Sequence, residues 1–132
     1  MTGLAEQITA LILAIGLSSL VGFEREKSHK PAGIRTNVLV CLAATFLTII
    51  AVDQFGETAP RIIAGIITGM GFLGAGTIIA SGKSVHGLTS AASLWTVAAI
   101  GIGIGLGYYA LSISLTMLVL ATLLIKYFGK QD

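Results

Sequence analysis

The chain has 132 residues, of which 55% are hydrophobic and only 11% are charged, and its mean hydropathy is +0.93. Typical soluble domains carry about 25% charged residues, so this composition disfavours a soluble helical core and favours a membrane protein. The net charge of +2 comes with no basic patch that alternates with aromatic residues, which argues against nucleic-acid binding. The single cysteine, Cys41, excludes an internal disulfide.

Uncharged runs define the predicted elements along the chain. Residues 7–23, 36–52 and 62–82 are each long enough for one spanning helix of roughly 20 residues. Residues 87–125 would extend about 58 Å as one helix, nearly twice a hydrocarbon core of about 30 Å, so this run should turn back within residues 105–109. We therefore predict an all-α membrane protein with about five transmembrane helices, over the approximate spans 4–23, 36–54, 62–80, 89–106 and 109–127.

Lysine and arginine are distributed unequally between the predicted loops. Seven lie in the loop after the first span, in the loop after the third span or at the C-terminal end, whereas only Arg61 lies on the other side. Because positive residues are retained in the cytoplasm, we expect the N-terminus outside and the C-terminus in the cytoplasm. We expect residues 1–132 to form a single transmembrane domain with no soluble C-terminal domain.

The stretch GMGFLGAG, residues 69–76, contains a G-x-G-x-x-G pattern. A dinucleotide-binding turn needs a preceding strand and an acidic residue about 20 residues later, but no Asp or Glu occurs between Glu57 and Asp132. Small residues in membrane helices instead permit close helix packing, so we expect the third span to be central. We assign helix packing, or the lining of a pore, to Gly65, Gly69, Gly71, Gly74, Gly76, Thr89, Trp95 and Gly103.

Two further small-residue rows lie in the fourth span, and one of them consists of Gly101 and Gly105. The fifth span is rich in bulky leucine and isoleucine, so we expect it to be peripheral and to face lipid.

Polar groups concentrate in GFEREKSHKPAGIRTN, residues 22–37. From residue types alone, this segment is explained by a solvated loop that sets topology and contacts lipid headgroups. A metal site is the alternative, because Mg²⁺ prefers oxygen ligands, and Glu24 and Glu26 are then the candidate ligands. Positions i and i+2 of a helix do not face the same way, so one site using both carboxylates would need a non-helical backbone or a second subunit.

The remaining charged residues give weaker signals. Asp53, Glu57 and Arg61 form either a polar external hairpin or a cation-attracting mouth, and Lys83 and His86 lie in the loop after the third span. We find no nucleophile–base–acid grouping, metal-protease motif or phosphate-binding loop, so we do not expect an enzyme. No ionisable residue lies well inside a span, which disfavours a carrier of dehydrated Mg²⁺. A pore lined by backbone carbonyls remains open.

Two stretches, GFEREKSHKPAGIRTNVLVCLAA and GMGFLGAGTIIASGKSVHGLTSAASLWTVAAIGIGIG, resemble in content and order the membrane domain of the MgtC/SapB family, over about residues 12–110. In the first stretch the resemblance carries over Glu24, Arg25, Glu26, Pro31, Gly33, Arg35, Thr36 and Asn37. In the second it carries over Gly69, Gly71, Phe72, Gly74, Ala75, Gly76, Thr77, Gly87, Thr89, Ala91, Ala92 and Trp95. It therefore favours a functional role for the first loop.

The resemblance implies a multi-pass protein of a prokaryotic cytoplasmic (inner) membrane that is linked to magnesium homeostasis and to growth when magnesium is scarce. It implies no certain cofactor, with Mg²⁺ as the candidate ion. We expect a regulatory or partner-binding subunit, with self-association as a homodimer and with the F-type ATP synthase or a magnesium transporter as candidate membrane partners. The alternative is a small Mg²⁺ channel or permease.

Overall fold

A computed structural model of the protein describes residues 3–81 and 84–125. Its elements in chain order are α1 (Leu4–Lys27), α2 (Ile34–Phe55), a 3₁₀ turn (Gly56–Thr58), α3 (Ala59–Ala75), β1 (Ile79–Ser81), β2 (Ser84–His86), α4 (Leu88–Gly105) and α5 (Tyr109–Leu124). The predicted all-α class is confirmed.

Three helical segments of the described chain are long and apolar enough to cross a membrane, namely Leu4–Lys27, Ile34–Ala75 and Leu88–Gly105. The second segment contains both α2 and α3. Gly56 lies between these two helices, and its backbone φ is positive, at 45°. Helix α5 is apolar but shorter. The number of crossings and the side that each end faces remain predictions.

The connections between helices alternate between two ends of the bundle. Helices α1 and α2 are antiparallel, because the Gln7 amide donates to the Asp53 carboxylate at one end (2.7 Å), while Gly22 meets Ile34 at the other. We call the end with residues 28–33 the hairpin end, and it also holds the junction of α3 and α4, where Gly74 packs on Ala91. The opposite end holds residues 56–58 and 106–108. At this end the Tyr109 hydroxyl donates a hydrogen bond to the Glu6 carboxylate.

Helix α4, rather than α3, occupies the middle of the described bundle. It contacts all four other helices, and its Leu94, Val97, Ile100 and Ile104 are buried in the core. Helix α3 buries only Ala59, Met70 and Gly74, and its Phe72 is 83% exposed. The expectation that the third span is central is therefore wrong for the single chain.

The glycines of α4 do meet neighbouring helices. A Cβ on Gly101 would lie 2.6 Å from the Cys41 carbonyl oxygen, and one on Gly105 would lie 2.6 Å from the Thr48 Cβ. Gly103 faces the Ser112 side chain across the α4–α5 pair. Because these positions have no side chain, α4 approaches α2 and α5 closely, which is the packing that drives helix association in lipid.

Most glycines of α3 face no other helix. A Cβ on Gly65, Gly69 or Gly71 would have no neighbour within 4 Å, and one on Gly74 would make only an ordinary contact with Ala91. Gly76 is close only to backbone oxygens of its own turn. Within the single chain, the packing role assigned to this row therefore applies to Gly74 alone.

A two-stranded ribbon connects α3 to α4, where the sequence predicted the end of the third span, up to residue 80, followed by a loop. Its strands pair antiparallel, with Ile79 opposite His86 and Ala80 opposite Val85. Helix α4 then begins at Leu88, directly after Gly87 with a φ of 90°. A Cβ there would collide with the Thr77 backbone, so this junction requires glycine.

Candidate functional hairpin between α1 and α2

The hairpin at residues 22–37 is held together by close backbone contact. A Cβ on Gly22 would lie 2.6 Å from the Ile34 Cα, so only glycine allows α1 and α2 to meet this closely. The chain leaves α1 through hydrogen bonds from the Ser28 amide to the Glu24 carbonyl (2.9 Å) and from the Lys30 amide to the Arg25 carbonyl (3.0 Å). The loop is thus an ordered turn.

Two residues of the turn, His29 and Ala32, have the left-handed backbone conformation, with φ of 53° and 64°. This conformation costs a residue other than glycine roughly 1–2 kcal/mol. The surrounding hydrogen bonds maintain it, and such locally strained backbone is concentrated at binding and switch sites. The observation supports a functional role for the turn.

Glu24 and Arg25 form a buried ion pair with each other at the end of α1. Arg25 is only 2% exposed, and its guanidinium contacts the Glu24 carboxylate through Nε and Nη2. The other Glu24 oxygen accepts a hydrogen bond from the Ser28 hydroxyl (2.7 Å). A buried charge is tolerated when it is paired and hydrogen-bonded, and this arrangement meets that condition for Glu24.

Glu26 has a different partner and a different role. It is exposed, and its carboxylate accepts a hydrogen bond from the backbone amide of Ile34 (3.0 Å), the first residue of α2. The flanking N-cap residue, Gly33, has no side chain that could do this. Glu26 therefore caps α2 from the preceding helix, and its negative charge suits the positive end of the α2 dipole.

We expect Glu26→Ala to lower the free energy of unfolding by about 1 kcal/mol, because the Ile34 amide loses its acceptor. Glu26→Gln keeps an acceptor oxygen and should lose less. The measurement is a detergent-induced unfolding titration followed by Trp95 fluorescence. Equal losses in the two variants would show that the charge, and not the hydrogen bond, is what matters.

The buried side chain of Asn37 stabilises the turn through hydrogen bonds. Its Nδ2 donates to the carbonyls of Ala32 (2.7 Å) and Gly33 (2.9 Å), and the residue is fully buried. Its Oδ1 is buried with no partner among the described residues. Asn37 therefore stabilises the left-handed Ala32 directly, whereas Arg35 and Thr36 on the first turn of α2 are exposed.

The metal hypothesis for Glu24 and Glu26 gains no support from their geometry. One carboxylate pairs with Arg25 and Ser28, and the other caps α2. The described residues contain no cluster of three or more His, Cys, Asp or Glu side chains. The structure does not bring the two carboxylates together as one site.

Other predicted site residues lie apart from the hairpin turn itself. Thr89, in the first turn of α4, is exposed, and Trp95 is 50% exposed on the same helix. His86 lies on the ribbon, and Lys83 lies outside the described residues. Neither Thr89 nor Trp95 packs fully into the single-chain bundle.

Sequence reasoning missed a polar face of α2 that is buried against α1 and α4. Asn37, Cys41, Thr45 and Thr48 recur at helical spacing and are all fully buried. The Thr45 hydroxyl donates to the Gly101 carbonyl (3.0 Å), whereas the Thr48 hydroxyl has no partner among the described residues. The spacing of these small polar residues was the signal that could have revealed the face.

At the opposite end, Asp53 and Gln7 line a cavity of about 100 Å³ together with Tyr109 and residues 105–107. The Asp53 carboxylate accepts a hydrogen bond from the Gln7 amide, while Glu57 and Arg61 are exposed. The structure thus places acidic groups at this end of the bundle, as both the polar hairpin and the cation-attracting mouth require.

The sequence pattern that defines the MgtC family matches residues 11–131. The chain belongs to the MgtC family. It is 40% identical over 119 residues to Protein MgtC of Brucella abortus (strain 2308), covering 89% of this chain and 50% of the relative. It is 38% identical over 120 residues to Protein MgtC of Salmonella typhimurium (strain 14028s), covering 90% of this chain and 52% of the relative.

Another relative of the chain is named as a putative transporter. The chain is 39% identical over 106 residues to the Putative magnesium transporter YhiD of Escherichia coli (strain K12), covering 74% of this chain and 49% of the relative. The chain therefore spans about half the length of these curated relatives. No solved structure matches it.

Proposed function

We propose that this chain is a multi-pass protein of a prokaryotic cytoplasmic membrane that acts in magnesium homeostasis or adaptation to low magnesium, as a regulatory or partner-binding subunit. The observation that carries the proposal is the ordered hairpin. Its carboxylates are used internally, while Arg35 and Thr36 remain exposed. Such a fixed polar surface suits recognition of another membrane protein, with the F-type ATP synthase or a magnesium transporter as candidates.

The placement of charge supports a partner-binding role over a carrier. The charged side chains of the described residues lie at the two ends of the bundle, and the buried polar residues between the ends are Ser, Thr and Cys. Carriers that move ions through a site usually place ionisable groups near the midplane of the membrane. The proposal that the protein forms a homodimer rests on the glycines of α3. Most of them contact no other helix of the described chain, so this face of α3 is free to pack against a second copy.

The second candidate is a small Mg²⁺ channel or permease. The relative named as a putative magnesium transporter favours it, as does the cavity beside Asp53 next to the glycine-bearing end of α4. To separate the two, the protein is reconstituted in liposomes that hold a Mg²⁺ indicator, and external Mg²⁺ is added. Entry into wild-type vesicles that the exposed-residue variant Arg35→Ala abolishes, with insertion of both proteins verified, would establish transport, whereas no entry with verified insertion would favour the regulatory role.

We expect Arg35→Ala to abolish support of growth at low magnesium while the protein folds and inserts normally, because Arg35 is exposed and its loss leaves no buried group unpaired. The measurement is complementation of a strain that lacks its own copy, with protein levels checked in the membrane fraction. Arg61→Ala, at the opposite end, is the matched control and should complement. Full growth with Arg35→Ala would contradict the partner-binding role of this surface.

A further inference from the structure

The outer surface of the hairpin end is basic. Residues 22–37 contain four Lys or Arg and two Glu, which gives a net charge of +2 with His29 neutral. Arg25 is buried, whereas Lys27, His29, Lys30 and Arg35 are exposed. At the opposite end, Glu6, Asp53 and Glu57 outnumber Arg61. Among residues 3–81 and 84–125, the positive surface is therefore found at one end of the bundle.

The two carboxylates of the hairpin offset only part of this positive charge, and an excess of two positive charges remains with His29 neutral. Glu24 is buried against Arg25 and Ser28, and Glu26 accepts the Ile34 amide. Among the described residues, Lys27 and Arg35 form no ion pair, since Glu24 pairs with Arg25 and Glu26 accepts the Ile34 amide. Both cations are thus available to an external anion.

Each of these two cations lies one helical turn beyond an exposed large apolar residue of its own helix. Phe23 precedes Lys27 by four positions on α1, and Leu39 follows Arg35 by four positions on α2. Residues four apart lie on the same face of a helix. Phe23 and Leu39 are 60% and 66% exposed, so these faces suit contact with lipid tails, and a long cationic side chain one turn beyond such a residue suits headgroup depth.

The separation of the two cations is set by the fold. Lys27 is the last residue of α1 and Arg35 the second residue of α2, and the helices touch through backbone at Gly22 and Ile34. The Glu26 cap and the Asn37 hydrogen bonds fix the turn between them. A ligand that contacts both helix ends would therefore require no reordering of the backbone, and only the two side chains would lose freedom.

We propose that Lys27 and Arg35 together bind the headgroup phosphate of an anionic phospholipid, whose acyl chains lie on Phe23 and Leu39. The lipid-facing residues directly below each cation favour a lipid over a soluble acidic protein. Cationic side chains beside a membrane attract anionic lipids, and arginine and lysine both suit a phosphate.

The chain contains a single tryptophan that can report on its lipid neighbours. Trp95 is half exposed on α4, which packs against α1 and α2 and begins at the hairpin end. The protein is reconstituted in vesicles containing either dibrominated phosphatidylglycerol or dibrominated phosphatidylcholine, and quenching of Trp95 is compared. Native mass spectrometry of the same protein counts the phosphatidylglycerol molecules that remain bound.

For the wild type we expect stronger quenching by phosphatidylglycerol and at least one retained phosphatidylglycerol, both weakened at high salt. The double variant Lys27→Gln/Arg35→Gln should lower the affinity of the protein for phosphatidylglycerol about two- to fivefold for each cation removed. Fewer phosphatidylglycerol molecules should then remain bound in the mass spectrum. Arg61→Gln removes one cation from the opposite end and should change neither readout. Equal quenching by the two lipids with no retained phosphatidylglycerol in the wild type would overturn the proposal. A number of retained phosphatidylglycerol molecules that the double variant leaves unaltered would overturn it as well.

Discussion

Replacing Gly101 with alanine is expected to lower the free energy of unfolding by about 1–3 kcal/mol, the usual cost of overpacking a well-packed core. The added Cβ would lie 2.6 Å from the Cys41 carbonyl oxygen and 2.9 Å from the Ala44 Cβ. The carbonyl belongs to the α2 backbone and cannot rotate away, so α4 must separate from α2. That separation would also weaken the hydrogen bond from Thr45 to the Gly101 carbonyl.

Gly16→Ala is the matched control for Gly101→Ala. Gly16 lies inside α1, is exposed, and a Cβ there would meet nothing within 4 Å. Alanine should therefore be neutral or slightly stabilising at this position, because it has the higher helix propensity. Both variants are titrated with a denaturing detergent and followed by Trp95 fluorescence. Equal stability of the two variants would mean that α2 and α4 are not in close contact at Gly101.

The sequence predicted the helical class and the position of the last turn because both depend on local signals. Uncharged runs of spanning length indicate helices, and the run at residues 87–125 was too long for one helix. The structure ends α4 at Gly105 and begins α5 at Tyr109, with Gly107 at a φ of 83°. The exposed Leu111 and Leu118 agree with the expectation that α5 faces lipid.

The arrangement of the helices could not be predicted in the same way. A glycine row shows that close approach is allowed, but it does not say which helix uses it. Gly65 and Gly69 looked like a packing face and are open in the single chain, whereas Gly101 and Gly105 contact α2. The ribbon was missed because residues 62–80 were assigned to one helix, although the β-branched Ile79 and Val85 stand on either side of serine and glycine, residue types that favour turns.

The candidate site was only partly visible in the sequence. Residue types identified the hairpin as the polar segment, and the family resemblance added Asn37. The roles of these residues depend on contacts that no spacing rule contains, since Glu24 and Glu26 are two positions apart yet have unrelated partners. An exposed Arg25 was the ordinary expectation for a loop cation, and its burial follows from tertiary packing alone.

Arg25→Met is expected to lower the free energy of unfolding by about 3–5 kcal/mol, the cost of leaving a buried charge without its partner. Methionine keeps the unbranched shape of the arginine stem, so the main loss is the guanidinium that contacts Glu24. Glu24 is itself buried, and its carboxylate would keep only the hydrogen bond from Ser28. Detergent unfolding followed by Trp95 fluorescence measures the change.

Glu24→Gln/Arg25→Met separates the charge effect from the packing effect. Removing both charges leaves a neutral amide that can still accept from Ser28, so the double variant should be clearly more stable than Arg25→Met. If stability returns while growth at low magnesium does not, the charges of the pair are needed for function beyond their contribution to stability. If the double variant is as unstable as the single one, packing of the arginine stem, and not its charge, holds the end of α1.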